Sequence, residues 1–232
     1  MSTSPQFDKH VDTYDIELNQ ALAVSGEDKH HFAVERVNWL KRCVQRLGEQ
    51  PSSAIDYGCG VGDTSALLCR ILNLDLVTGL DVSIRSLERA RLQHASDHCN
   101  FLGFDEHVPH ANIDMVYCNG VFHHIPVAER GPSLDYIRRC LRPGGLFALW
   151  ENNPWNPGTR YVMSQCSFDR DAIMISPPEA ARLLRARGFQ VISIHYLFFF
   201  PRFLKLFRFL EPHFSRIPLG AQYQILCRKP VA

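Results

Sequence analysis

The run Ala54-Ile-Asp-Tyr-Gly-Cys-Gly-Val-Gly62 limits what this chain can fold into more than any other stretch of it. An apolar segment leads directly into three glycines spaced two apart, and a helical pattern follows. Glycine lets a backbone turn sharply and lets a ligand approach where a Cβ would clash. The helix start beyond offers N–H groups that have no partner within the helix. A dinucleotide fingerprint, G-x-G-x-x-G, would need its third glycine at position 63, where Asp63 stands. The pattern here is G-x-G-x-G with Asp56 just upstream. A tight turn also uses glycine for shape alone, yet three in so short a span point to a ligand.

Asp81 closes the next apolar run, 74–80, about twenty residues beyond the turn, where an acidic side chain can accept hydrogen bonds from both hydroxyls of a ribose. Capping a helix that begins near Ile84 is its structural alternative. Further apolar runs fall at 99–104, 113–118 and 146–150, with helical patterns at 64–72, 84–96 and 127–141. Strand alternating with helix predicts a parallel sheet with helices on both faces. The segment 177–188 reads as a helix with proline at its start and glycine at its end, followed by strands at 189–196 and 222–228.

Upstream of the turn, 7–47 reads as mainly helical with a break at Ser25-Gly26. Val34, Val37, Leu40, Val44 and Leu47 mark one buried face of its second half. The predicted organisation is an N-terminal helical lid over 1–50 and a binding domain over 51–232 with an insertion at 198–221. A net charge of +1 gives no general attraction to nucleic acid. The stretch Met1–Phe7 shows no basic region leading into an apolar run, so no secretory signal is expected. None of the eight cysteines forms a C-x-x-C pair, which fits free thiols in a reducing cytoplasm.

With these motifs in order, the chain resembles the class I S-adenosylmethionine (SAM)-dependent methyltransferases, of the small-molecule type that includes ubiquinone and menaquinone methyltransferases. Asp56–Gly62 matches the family's first motif and Leu80-Asp-Val-Ser83 its second. The stretches 113–126 and 140–147 match the fourth strand with its loop and the turn into the fifth. The resemblance covers 53–151. It implies a Rossmann-like, seven-stranded, mainly parallel sheet with helices on both faces and the last strand antiparallel.

The same resemblance implies that Gly58, Gly60 and Gly62 surround the methionine portion of SAM, that Asp81 holds the ribose and that Val82 lies against the adenine. Asn119 would meet the methionine amino group through its backbone carbonyl, and Tyr14 would belong to a segment folding over the cofactor. The family's adenine-contacting aspartate falls at Phe104 by count, with Asp105 one residue later.

His123 and His124 follow the fourth strand, where the family brings its acceptor to the sulfonium. A neutral imidazole suits proton removal from a hydroxyl or amine. Packing beneath the loop is the alternative for either one. Asn152, Asn153 and Trp155, beyond the fifth strand, are expected to line an acceptor pocket. No metal is expected, because His107 and His110 lack further ligands. In the phenylalanine-rich segment 198–211, Pro201 suits a helix start and Arg202, Lys205 and Arg208 form a basic stripe opposite apolar residues. A lid over an apolar acceptor is the preferred reading, with weak membrane-surface contact the second.

The expected function is methyl transfer from SAM to a hydroxyl, or to an amine or carbon, of a small, partly apolar metabolite. A non-catalytic SAM sensor or partner subunit stands as the alternative. A nicotinamide-dependent oxidoreductase is disfavoured by Asp63.

Overall fold

The computed structural model describes residues 14–231, with side chains from Ile16 onward. Seven strands form one sheet in the order β3-β2-β1-β4-β5-β7-β6. They are β1 (Ser53–Tyr57), β2 (Leu76–Asp81), β3 (Cys99–Gly103), β4 (Ile113–Asn119), β5 (Leu141–Asn152), β6 (Gln190–Leu197) and β7 (Gln222–Arg228). All neighbouring pairs are parallel except those of β7, which runs antiparallel to β5 and to β6. The sheet expected from the sequence is therefore the one observed, reversed last strand included.

Eight helices accompany the described strands. Before β1 come α1 (Tyr14–Leu22) and α2 (Lys29–Arg46), and between strands lie α3 (Asp63–Leu72), α4 (Ile84–His94) and α5 (Val127–Cys140). After β5 follow α6 (Pro157–Gln165), α7 (Pro177–Ala186) and α8 (Glu211–Phe214). The expected break between the first two helices is real: Gly26 closes a short 3₁₀ turn with φ +75°, and Asp28 caps α2 by accepting from the His31 N–H.

Strand alternation divides the core between the two sheet faces. Ala54 packs with α2, α3 and α4 on one face, while Ile55 and Tyr57 pack with α5 and α7 on the other. Val37, Trp39, Leu40 and Val44 of α2 belong to the first of these clusters. That helix is thus one wall of the core, and the boundary expected at residue 50 does not separate a lid from a domain.

Because β1 pairs with β2 on one side and β4 on the other, the chain reverses direction across the sheet there. Open α/β sheets bind their ligands outside the carboxyl ends of strands at that point. The turns after β1, β2, β4 and β5 all leave from this edge. Among the described residues no helix is long and apolar enough to cross a membrane.

Candidate functional site

At the end of β1, the Gly58 and Cys59 N–H groups donate to Leu80 O at 2.7 and 3.0 Å, which folds the glycine turn against the end of β2. Gly58, Gly60 and Gly62 all have positive φ, between 53° and 86°. Their reasons differ. A Cβ at Gly58 would collide with Val121, and one at Gly62 would meet the Phe101 ring at 2.7 Å. A Cβ at Gly60 would meet nothing within 4 Å. Packing therefore requires glycine at 58 and 62, whereas Gly60 bounds open space into which a ligand can come.

Asp81 accepts from the Gly60 N–H at 2.8 Å and from the Ser83 N–H at 2.9 Å. One carboxylate thus holds the glycine turn and the start of the next loop together. The helix cap that Asp81 could have supplied comes instead from Ser83, whose hydroxyl accepts from the Ser86 N–H. Val82 beside it is an exposed apolar side chain, available to a flat ring.

Asp56 is buried beneath the turn and accepts from the Ser65 hydroxyl at 2.7 Å. Burial, with Asp81 nearby, raises its pKa to about 7 against the opposing effects of Ser65 and Arg36. Neither Phe104 nor Asp105 reaches the cavity described below. Phe104 instead stacks on Tyr57 at 4.9 Å and Tyr136 at 5.6 Å, while Asp105 is exposed. The Tyr14 side chain lies outside the described residues.

A cavity of about 830 Å³ opens from this turn between α2, the loops after β4 and β5, and the insertion. Gly58, Asp56 and Asn119 stand at its cofactor end. The Asn119 Oδ1 is buried without a partner there. So is the Nε of Arg36, a guanidinium only 8% exposed that reaches the same wall from α2 and donates to Gln222 at 3.0 Å. The sequence reading missed Arg36, because a basic residue within a helical pattern looks like a solvated face. Lys29 fixes the start of α2 to the glycine turn through a 2.6 Å ion pair with Asp63.

The acceptor end is built from the two histidines. His123 is 4% exposed, and its Nδ1 lies 2.6 Å from Glu151 Oε2 at the end of β5. Its Nε2 lies 3.5 Å from Asp169 Oδ1, and His124 Nε2 lies 3.3 Å from the same oxygen. Arg130 of α5 locks this arrangement by donating to the carbonyls of Phe122, Ile125 and Ile173, and the Ile173 N–H donates back to His123 O at 2.8 Å. The segment carrying Asp169 is in this way tied to the histidine loop.

These neighbours divide the histidines' roles. Burial alone would strip His123 of its charge, but Glu151 and Asp169 outweigh it and raise its pKa to about 10. A proton is already held there, which corrects the expectation that His123 serves as a base. Burial lowers His124, so its ring is the neutral one. Asp169, which burial alone would raise, is kept below the usual carboxylate range by the two imidazoles beside it. Glu151 and Asp169 were not singled out from the sequence. Asp169 stands far along the chain in an irregular stretch with no recognisable pattern.

Of the three residues expected in the acceptor pocket, only Asn152 lines the cavity. Asn153 is fully buried and donates to Pro218 O and Gly220 O, so it clamps the insertion's return rather than facing a ligand. Trp155 is 47% exposed and lies off the cavity. The insertion also differs from its expected form. Residues Arg202–Leu210 make a 3₁₀ run kinked at Leu204. Phe198, Phe199 and Phe200 line the cavity and Phe203, though 79% exposed, stands at its edge, while Phe207 is 49% exposed and lies off it. Two residues of the basic stripe are engaged within the protein, Arg208 pairing with Glu27 at 2.9 Å and Arg202 donating to Gly26 O, while Lys205 is exposed.

Residues 55–149 match the family model described as a methyltransferase domain. Over this stretch the chain is similar to methyltransferase domains. Among curated relatives, a trans-aconitate 2-methyltransferase of Azoarcus sp. (strain BH72) is 28% identical over 160 residues, which are 68% of this chain and 58% of that protein. Another, from Enterobacter sp. (strain 638), is 25% identical over 142 residues, 60% of this chain and 55% of the relative. The chain thus spans little more than half the length of these relatives. In fold it resembles a SAM-dependent methyltransferase of Thermotoga maritima described as a possible histamine N-methyltransferase (TM-score 0.62, 20% identity, 98% of this chain and 100% of that one). A putative sarcosine dimethylglycine methyltransferase of Galdieria sulphuraria is similar in the same way (TM-score 0.63, 14% identity, 89% and 90%).

The cofactor that this family and fold imply is S-adenosylmethionine. The residues present fit it: Gly60 leaves a cradle open, Asp81 offers a carboxylate at the neighbouring strand end, and the unpartnered Asn119 Oδ1 and Arg36 Nε face the methionine end.

Proposed function

We propose that the protein transfers the methyl group of S-adenosylmethionine to an oxygen of a small, partly apolar metabolite, with amine or carbon acceptors as variants of the same reaction. The observation that carries this reading is the single cavity joining the glycine turn to the His124–Asp169 pair. In the cofactor half, Asp81 takes the ribose hydroxyls, Val82 the adenine face, and Arg36 the carboxylate of the methionine portion. The bound cofactor supplies an electrophilic methyl group. What remains for the chain is to place a nucleophile in line with it, exclude water and receive a proton.

His124 is the group suited to that proton, being neutral, only 17% exposed, and beside Asp169, which stabilises the imidazolium once formed. Phe198, Phe199 and Phe200 supply an apolar wall for the acceptor's body. A purely SAM-sensing protein would have no need of a buried acid–base cluster opening on the space beyond the cofactor. Weak contact of the insertion with a membrane surface is not favoured, since Arg202 and Arg208 are engaged within the protein.

The test is a screen of hydroxylated, carboxylated and aminated metabolites, trans-aconitate among them, for release of S-adenosylhomocysteine. With the best acceptor, His124→Ala should keep SAM affinity and lose turnover by about 10²–10⁴-fold. Unchanged turnover in that variant removes His124 as the base, and SAM binding without turnover on any acceptor favours the sensor.

A further inference from the structure

Two imidazoles and two acidic side chains from three separate segments converge at the acceptor end of the cavity, which is more than one proton transfer requires. His123 Nε2, His124 Nε2 and Asp169 Oδ1 all lie within 4.8 Å of one another. The two nitrogen-to-oxygen edges are 3.5 and 3.3 Å. Zinc binds nitrogen and oxygen at about 2.0–2.2 Å, and the edge of a tetrahedron with such bonds is about 3.4 Å. Asp169 Oδ1 is buried with no hydrogen-bond partner of good geometry.

The surroundings are those of a ligand set rather than of a simple polar contact. His123 turns its Nε2 to the cluster because Nδ1 is engaged by Glu151 at 2.6 Å, and such an acidic partner orients metal-bound histidines. Arg130 and the Ile173 N–H fix the two loops relative to each other, so the three atoms are held before any ion arrives. All three residues also line the cavity, which leaves a further coordination position facing it.

We propose that His123, His124 and Asp169 form a three-ligand site for a divalent first-row transition cation, zinc by its ligand chemistry, with the open position directed at the acceptor. Glu151 is the positioning residue behind it. The cation's chemical role rests on the methyl-transfer reading above, while its binding does not. An acceptor oxygen on the open position would lose its proton to water at neutral pH, since a bound cation stabilises the oxyanion. That oxygen's lone pair then forms the bond to the methyl carbon as the carbon–sulfur bond breaks, its electron pair passing to sulfur. With the ion bound, His123 gives up its Nε2 proton to water, both histidines are ligands, and the ion replaces His124 in activating the acceptor.

The experiment uses the whole chain, stripped with a chelator, dialysed, and titrated with Zn²⁺ by calorimetry and with Co²⁺ by absorption. One ion per chain is expected, with a cobalt spectrum free of thiolate charge transfer, which separates this site from the eight free cysteines. Glu151→Gln should weaken binding by about 10–100-fold, and Asp169→Asn or His124→Ala should weaken it further. The Co²⁺-loaded wild type should also show shifted imidazole N–H proton resonances from two histidines, a readout that needs no variant to fold. Absence of stoichiometric binding, absence of those resonances, or binding in Asp169→Asn equal to wild type would overturn the site. SAM titration of the same samples keeps the outcomes apart: loss of SAM binding with the ion still bound refutes the methyl-transfer reading and leaves the cation site standing.

Discussion

The two ends of the cavity are built in opposite ways. The cofactor end comes mostly from one short stretch, β1 to the end of β2, and much of its work is done by backbone: a glycine turn, N–H groups and the carboxylate of Asp81 that ties them. The acceptor end is made of side chains from at least four places, namely the loop after β4, the end of β5, the turn at Ser167–Asp169 and the insertion. Backbone geometry depends on few residue identities, whereas a side-chain cluster depends on each member and on the scaffold that brings them together. The first end suits a constant ligand, and the second can be rebuilt for each acceptor.

The largest expected effect tests the scaffold of the acceptor end. Arg130 is 2% exposed and bonds three carbonyls, so Arg130→Ala leaves buried acceptors unpaired at about 1–3 kcal/mol each. Thermal or denaturant unfolding should show a loss of several kcal/mol. A loss below 1 kcal/mol would mean that the two loops hold their positions without it.

Gly60→Val comes next and tests the cofactor end. Open space at that position predicts a folded protein, with about 1–2 kcal/mol lost to the left-handed backbone. SAM affinity should fall by about 10²-fold or more, equivalent to about 2.8 kcal/mol at 1.4 kcal/mol per factor of ten. Wild-type affinity measured by calorimetry would place the cofactor elsewhere.

Asp56 gives a smaller, pH-dependent effect. Its folded value of about 7 lies above the ordinary 3.8, so the fold favours the neutral acid. The resulting penalty is present above pH 7 and is relieved as pH falls toward 3.8. A cationic cofactor bound nearby pulls that value down. SAM affinity should therefore rise by up to about tenfold per pH unit as pH approaches 7 from below, then level off. Asp56→Asn should flatten the profile, and a wild-type profile already flat between about pH 6 and 8, roughly one unit either side of the transition, would show that Asp56 does not sense the ligand.

The smallest effect separates two parts of the insertion. Leu206→Ser with Phe207→Ser should leave acceptor KM within about twofold, since both side chains are exposed and off the cavity, and surface changes usually cost less than about 0.5 kcal/mol. Phe198→Ser with Phe200→Ser should raise it clearly, because these rings face the cavity. Equal effects from both pairs would mean that the outer face of the insertion closes over the acceptor after all.

The sequence by itself determined the sheet, its reversed last strand and the glycine turn with Asp81 beside it. Those features rest on local signals: apolar runs of strand length, glycines at fixed spacing, and an acidic residue at the next strand's end. Each is set by the chain's own sterics and hydrogen bonding within a few dozen residues. Only the tertiary structure decided which histidine is neutral, that Asn153 is a clamp and Trp155 a surface residue, and that Arg36, Glu151 and Asp169 face the site. A histidine's charge depends on the carboxylates that long-range packing sets beside it, and Asp169 reaches His123 only because Arg130 and Ile173 join two loops 46 residues apart in the chain (169 − 123). The amphipathic stripe at 198–211 was incomplete for the same reason: periodicity tells which residues share a face, but Glu27 and the Gly26 carbonyl decided that Arg208 and Arg202 are held within the protein while Phe207 is left to solvent.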